Sequence, residues 1–363
     1  MRVNFEGPFI LNDQTYTKEE LLFAGEAICK SAGESRWKKD IFNFISGLLN
    51  PEIPLLHKSS GTTGEPKTFS LKREAMIRSS RSTLAHFGIP KGASVLLCLP
   101  VEYIAGKMMV VRALTGGLNL IITEPSGRPI NHIRRPIDFG AMVPLQLHET
   151  LVNNDPLHLL GTLLIGGGEI HQDLRKRIEG LKNTEVHETF GMSETYTHFA
   201  SRRINGDHPE SYFNALPGVT ISVDNRGCLV AELPGITDEP VVTNDLVRLR
   251  DDTRFEWLGR IDNVINSGGI KIFPETLELK MQGILHCELG LCAIPDQKLG
   301  EKLVLVIKEE AETPSEKHIM NILRAELEKH EIPGHIVCHP ELPRNKSMKV
   351  DRVKLKDMVN SKI

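Results

Sequence analysis

From Leu71 onward the chain alternates between stretches of helical spacing and short apolar runs, and this alternation restricts the possible folds more than any other feature. Residues 71–87 (LKREAMIRSSRSTLAHF) and 103–115 (YIAGKMMVVRALT) have helical spacing, whereas 93–100 (ASVLLCLP), 118–123 (LNLIIT) and 159–165 (LLGTLLI) read as buried strands. Helices alternating with strands that are apolar along their whole length predict an α/β domain with a mostly parallel sheet. In such a sheet, ligands collect beyond the carboxyl ends of the strands. Two loops are so placed, the stretch 59–67 and the triplet Gly166-Gly167-Gly168.

The texture changes at Val219. Between there and Leu258 come short strands broken by turns: VTISV, CLVAEL, VVTND, LVRLRD and FEWL. They read as a small antiparallel β unit closing the large domain. A compact α+β pattern follows, with helices expected near 275–284 and 315–330 and strands near 290–294 and 303–308. The expected division is therefore residues 1–260 as a large domain and 262–363 as a small one, with the boundary at Arg260 to Asn263. No internal repeat or low-complexity tract is present.

Composition excludes several function classes. The 363 residues are 40% hydrophobic and 25% charged with a formal net charge of −3, an ordinary globular balance without the basic footprint of a nucleic-acid binder. The six cysteines show no C-x-x-C spacing, so neither a metal cluster nor a disulfide framework is expected, and a reducing cytoplasm fits best. No signal-like or membrane-spanning stretch is apparent. The expected partners are small molecules, with a homodimer also possible.

Residues 59–67 read SSGTTGEPK. Flexible glycine backbone, rotatable hydroxyl donors and a terminal lysine suit an oligophosphate. The common phosphate loop is not present, because G-x-x-x-x-G-K-[ST] counted from Gly61 would place glycine where Pro66 stands. Four further segments supply what a nucleotide-dependent acyl transfer needs. Thr189 to Thr195 (TFGMSET) puts an aromatic face, a hydroxyl and a carboxylate close together, and Asp245 ends a strand as an acceptor for ribose hydroxyls. Arg260 and Asp262 flank the domain boundary, and Ser267 to Lys271 (SGGIK) leaves backbone open to close approach. Residues 342–352 (LPRNKSMKVDR) form a lysine-bearing segment near the C-terminus.

Taken in this order and spacing, these segments resemble the adenylate-forming superfamily that includes acyl-CoA synthetases, luciferase and peptide-synthetase adenylation domains. The resemblance runs from about Ser59 to Arg352. It implies an ATP-dependent, AMP-forming enzyme that joins a carboxylate to the α-phosphate and then passes the acyl group to CoA, with Mg2+ accompanying ATP. By that resemblance Lys349 is the catalytic lysine, Ser193 binds the α-phosphate, and Glu194 holds the Mg2+. The loop residues Ser59, Ser60, Gly61, Thr62, Thr63, Gly64 and Lys67 guide the outer phosphates. Gly168, Glu169 and Phe190 shape the adenine site, with Glu188 at the adenine edge, while Asp245 and Arg260 hold the ribose. Asp262 is the hinge about which the small domain turns, and Gly268, Gly269 and Lys271 line the CoA channel.

This chain departs from the family pattern at several places. Only 58 residues precede Ser59, which implies a largely missing first subdomain. Met348 replaces glycine before the catalytic lysine, Asn244 replaces glycine before the ribose aspartate, and Ser193 replaces threonine. Tyr103 stands where many relatives carry a histidine of the acyl pocket. The stretch from Glu194 to Arg203 and the short N-terminus are similar to small bacterial ligases of menaquinone synthesis that activate 2-succinylbenzoate. For the second carboxylate of that acid, His198 and Arg202 are the candidate grips. The competing readings are an adenylation enzyme that loads a carrier protein or activates another acid, and a non-catalytic nucleotide-binding relative.

Overall fold

The computed structural model describes residues 5, 7–58, 68–168, 170–309, 314–344 and 350–362. Its centre is a parallel block of five strands: Asn119–Ile122, Ser94–Leu97, Ile137–Met142, Leu160–Ile165 and Glu185–Gly191, in that spatial order. The strand Phe9–Leu11 pairs parallel to Asn119–Ile122 and extends the block at one edge. The middle strands of the block are largely apolar because both faces are covered. Val95 and Leu97 point into one core while Leu96 and Cys98 point into another, the alternation expected of a strand buried on both sides.

The first core is closed by α1 (Lys18–Lys30), α2 (Arg36–Leu49), α3 (Arg73–His86) and α4 (Ile104–Gly116). Thr17 starts α1 with a capping box, its hydroxyl accepting from the Glu20 amide while the Glu20 carboxylate accepts from the Thr17 amide. The second core lies under α5 (Pro144–Val152) and α6 (Gln172–Glu179). Helix α4 is buried from Gly106 to Leu114, including Lys107 and Arg112, which is the signature of a helix with protein on all sides.

The antiparallel strands that follow are not detached from this block. His198–Arg203 pairs with Glu185–Gly191, and through Phe213–Ala215 the sheet continues into Arg254–Arg260, Val241–Leu249, Cys228–Glu232 and Thr220–Val223. One sheet of 13 strands results. A third core of Phe199, Phe213, Phe255 and aliphatic neighbours fills its antiparallel end.

The chain then passes through a single 3-10 turn, Ile261–Asn263, into a five-stranded sheet flanked by α7 (Pro274–Leu285), α8 (Glu316–Glu326) and α9 (Arg352–Asn360). Its buried residues form their own two clusters, beginning at Ile265. Helix α7 lies against the large sheet at Gly259, where φ is +144° and an added Cβ would sit 2.4 Å from a Glu275 carboxylate oxygen. Only glycine permits that approach.

Within the small unit a buried ion pair ties α9 to α7. Arg352 Nη1 and Nη2 donate to the two oxygens of Glu278 at 2.8 and 2.7 Å, Nη1 also donates to the Leu291 carbonyl, and Glu278 is 2% exposed. Replacing Arg352 by Met should destabilise the fold by roughly 3–5 kcal/mol, because a buried carboxylate loses its bidentate partner. Urea denaturation followed by circular dichroism checks this; a variant as stable as the parent would show the pair to be dispensable.

Acid should weaken the fold through its buried imidazoles. Burial pushes His57 down to about 4, and burial together with the nearby Arg112 charge holds His198 well below its ordinary value. Both protonate more readily in the unfolded chain, near pH ~6.5. Their contribution is fully present above that pH and is lost as the pH falls from there toward 4. Denaturant midpoints measured stepwise across this window should fall steadily, and a flat profile would contradict the assignment.

Candidate active site

Two of the segments singled out in the sequence, the glycine triplet and the stretch 189–195, lie at the carboxyl ends of two neighbouring parallel strands. Ile165, the last residue of its strand, is in register with Glu188, so the bend at 166–168 lies beside the run from Glu188 to Glu194. Residues 189–191 continue the strand Glu185–Gly191. Phe190 packs edge-on against Phe199, Phe213 and Phe255, with centroids 5.2–5.6 Å apart. A single 3-10 turn, Ser193–Thr195, then presents Ser193 half-buried and Glu194 exposed. The turn is tied by Thr195 Oγ1, which accepts from the Met192 amide at 3.0 Å and donates to the Thr197 carbonyl at 2.7 Å. Tyr196 beside it has φ +62°, in the left-handed region that a bulky residue enters at a cost.

Glu188 and Arg202, assigned separate roles from the sequence, hold each other. Arg202 Nε and Arg175 Nη2 both donate to Glu188 Oε2, at 2.8 and 3.0 Å, and the Arg202 guanidinium lies 4.5 Å from the Phe213 ring centre. Burial would raise the Glu188 pKa, but the charges of Arg202 and Arg175 hold it below the usual carboxylate range. Arg202 is therefore engaged with an acid. Tyr103 precedes α4 and is 53% exposed.

His198 is buried at the start of its strand. Its Nδ1 meets the Thr197 hydroxyl at 3.2 Å, while its Nε2 has no hydrogen-bond partner among the described residues. Next to it lies a residue the sequence reading passed over. Arg112, 2% exposed, donates from Nη2 to Thr197 Oγ1 at 2.7 Å and more weakly to Thr83 Oγ1 at 3.5 Å. Its Nε has no acceptor and no carboxylate pairs with it among the described residues. Burial pulls the guanidinium down to about 10, which leaves it charged at neutral pH. The one sequence signal was an arginine inside a mostly apolar helical run whose only other charged residue is Lys107.

On the antiparallel side, Asp245 and Arg260 are in register on adjacent strands. The indole Nε1 of Trp257 donates to Asp245 Oδ1 at 2.9 Å, and Arg260 sits 3.8 Å from Asp245 Oδ2 while donating to Asp262 Oδ2 at 2.8 Å. The sequence did not single out Trp257. In the small unit, Gly268 and Gly269, with φ +61° and +82°, make the two-residue turn between Ile265–Ser267 and Ile270–Ile272, a geometry that favours glycine at both positions. Lys271 is exposed on the second of these strands.

Ser59 to Lys67, Glu169 and Lys349 lie outside the described residues. Their flanks are described. Lys58 pairs with Thr68 across a short antiparallel ladder, which closes the base of the 59–67 stretch. Arg344 and Val350 form an antiparallel bridge at the base of 345–349, and Arg344 Nη2 donates to Glu288 at 2.8 Å. Among the described residues, no group of three or more histidine, cysteine, aspartate or glutamate side chains is placed to hold a metal ion, and no helix is long and apolar enough to cross a membrane.

Comparison with known proteins places this geometry in a family. Residues 55–235 match the family model described as AMP-binding enzyme. The 2-succinylbenzoate–CoA ligase of Lactococcus lactis subsp. lactis is 25% identical, over 84% of this chain and 71% of its own length, and that of Bacillus cereus is 22% identical over 96% and 83%. Among solved structures, an acyl-CoA synthetase (AMP-forming)/AMP-acid ligase II-like protein from Dyadobacter fermentans is 31% identical, covering 92% of this chain and 98% of that one, with a TM-score of 0.62. The o-succinylbenzoate CoA synthetase of Bacillus subtilis in complex with its acyl-adenylate shares the fold, with a TM-score of 0.79 at 18% identity over 96% and 95% of the two chains. The chain belongs to the AMP-binding enzyme family, among its AMP-forming acid–thiol ligases.

Proposed function

We propose that this protein is an ATP-dependent 2-succinylbenzoate–CoA ligase. The observation that carries the choice of acid is Arg112: a buried guanidinium with no acidic partner among the described residues, bonded to Thr197, which follows Glu194 by three positions. A buried cation without a counter-charge costs stability, and a substrate carboxylate would supply that counter-charge. Neutral His198 beside it offers an unused ring nitrogen, Nε2, as a second polar contact. This pair takes over the role expected of His198 and Arg202, since Arg202 is committed to Glu188. The names of the curated relatives point to the same acid.

In the first step the substrate carboxylate attacks the α-phosphorus of ATP, and the bond to the bridging oxygen breaks as pyrophosphate leaves. Nucleophile and electrophile are both anionic, so the site must supply cations and donors where charge accumulates. Ser193 would donate to an α-phosphate oxygen. Exposed Glu194 suits a magnesium ion carried in on the phosphate chain. Ser59, Ser60, Thr62, Thr63 and Lys67 would hold the outer phosphates, with Gly61 and Gly64 allowing backbone approach. Gly168, Glu169 and Phe190 would shape the adenine site. Glu188, whose Oε2 is occupied by two arginines, keeps Oε1 for the amino edge of the base. Asp245, fixed by Trp257, would accept from the ribose with Arg260 beside it.

In the second step the CoA sulfur attacks the acyl carbon, the thiol proton is lost and AMP leaves. Rotation of residues 262–363 about Asp262 would exchange Lys349 for the Gly268–Lys271 turn at the reaction centre.

Two outcomes are expected. Lys349→Ala should slow pyrophosphate release by ~10²-fold or more while leaving thioester formation from supplied acyl-adenylate nearly intact, with Lys271→Ala doing the reverse. Equal losses in both steps would contradict the exchange. Arg112→Met should lower kcat/KM for 2-succinylbenzoate by about 10²-fold or more, as loss of a desolvated charge partner does, spare an aryl acid lacking the second carboxylate, and leave the thermal midpoint equal or higher. Pyrophosphate release from ATP, Mg2+ and a panel of acids, with thioester followed in parallel, reads all of these. If wild-type protein released no pyrophosphate with 2-succinylbenzoate, the assignment of that acid would fail.

A further inference from the structure

We infer that Asn244 is a positioning residue that ties the one crossing between the two core regions to the nucleotide side of the sheet. The cores of the large sheet end at Phe255 and those of the small unit begin at Ile265, and between them the backbone crosses once, through the turn Ile261–Asn263. Any rotation of the small unit must be absorbed there. Asp262 is the acid of that turn, and both of its oxygens lie within reach of Asn244 Nδ2, at 3.3 and 3.2 Å.

The orientation of the Asn244 amide is fixed from behind. Arg226 Nη1 donates to Asn244 Oδ1 at 3.1 Å, which assigns that atom as the oxygen and turns the amide nitrogen toward Asp262. Arg226 is itself held, its Nε donating to Asp224 Oδ2 at 2.8 Å and its Nη2 to the Thr243 carbonyl at 3.0 Å. Arg260 then joins the two ends of the network, donating to Asp262 Oδ2 and lying 3.8 Å from Asp245 Oδ2. A chain of polar contacts thus runs from the 224–227 turn through Asn244 to the crossing, and returns through Arg260 to Asp245.

Glycine at position 244 would have no side chain to make the middle link. Asparagine makes the turn at Asp262 depend on the same strand that presents Asp245, so the setting of the small unit and the acceptor for the nucleotide sugar are coupled. The kinetic consequence of that coupling rests on the ligase reading. The physical link does not.

The experiment is limited trypsin digestion of the full chain, scoring cleavage after Arg260, for wild type, Asn244→Ala, Asn244→Asp, Asp262→Ala and the Asn244→Ala/Asp262→Ala pair. Each variant is first checked for an unchanged thermal midpoint. Asn244→Ala should raise the cleavage rate roughly two- to fivefold, the scale of an exposed charge-assisted contact. The nearly isosteric Asn244→Asp should raise it further, by setting a carboxylate against Asp262. The double variant should cleave no faster than Asp262→Ala alone, since both changes remove one link. Wild-type rates in both Asn244 variants, or full additivity in the double variant, would overturn the inference. In a parallel assay, Asn244→Ala should alter the ratio of pyrophosphate release to thioester formation from supplied acyl-adenylate, and equal losses in both would count against a positioning role. A wild type inactive on every acid would remove the ligase reading while leaving the digestion result to decide the role of Asn244.

Discussion

The structure depends on the covering of its central parallel strands on both faces. A strand such as Ser94–Leu97 contributes Val95 and Leu97 to one core and Leu96 to the other, so none of its three buried positions can be polar without opening a core. Polar chemistry is therefore displaced to the strand ends. Gly168, Glu188, Ser193 and Glu194 occupy two adjacent carboxyl ends, while Asp245 and Arg260 stand on the antiparallel extension of the same sheet. The location of the site follows from the way the sheet is buried.

The same constraint makes the buried charges informative. Glu278 is gripped bidentately by Arg352, and Glu188 by Arg175 and Arg202, so desolvation is offset in each case by close opposite charge. Arg112 breaks the pattern. It is as deeply buried as Glu278, yet among the described residues its partners are two hydroxyls. The charge is carried on helix α4 and bonds Thr197, the residue after the strained Tyr196, next to a histidine whose own protonation it disfavours. Among the described residues, buried Lys107 also has no carboxylate partner, but its ammonium donates to the Val101 and Glu102 carbonyls, whereas Arg112 keeps an Nε without an acceptor. This is what suits Arg112 to the external anion proposed above.

Much of this was legible in the sequence. Helices α3 and α4 fall where the spacing of 71–87 and 103–115 puts them, and the strands Asn119–Ile122 and Leu160–Ile165 lie within their apolar runs. What escaped did so for physical reasons. Ile137–Met142 (IDFGAM) carries an aspartate and a glycine, and Glu185–Gly191 (EVHETFG) is mostly polar, its outer half belonging to the candidate site. Neither presents the apolar run by which a buried strand is recognised. The capping box of Thr17 and Glu20 was a readable signal for α1. Arg112 was hidden by the helix that contains it, since periodicity reports which face is apolar but not what a single guanidinium meets there. The partnership of Glu188 with Arg202 joins neighbouring strands, and Arg175 reaches it from α6, contacts that only the tertiary fold creates.

The contrast between the two kinds of polar contact around the small unit is itself an argument about motion. Inside that unit, Glu278 is buried and Arg352 largely so, and an interaction of that kind holds α9 against α7 as one body. At the crossing, the contacts of Asp262 with Asn244 and Arg260 are exposed, and each such contact is worth about 1 kcal/mol or less. A buried pair at the crossing would bias one orientation by several orders of magnitude and stall a reaction that needs two. Exposed contacts bias it by only a few-fold each, and binding differences of ordinary size can reverse them. Rigid bodies joined by weak, chemically specific contacts are what a two-step acyl transfer on one small domain requires, and the residues of the crossing have that character.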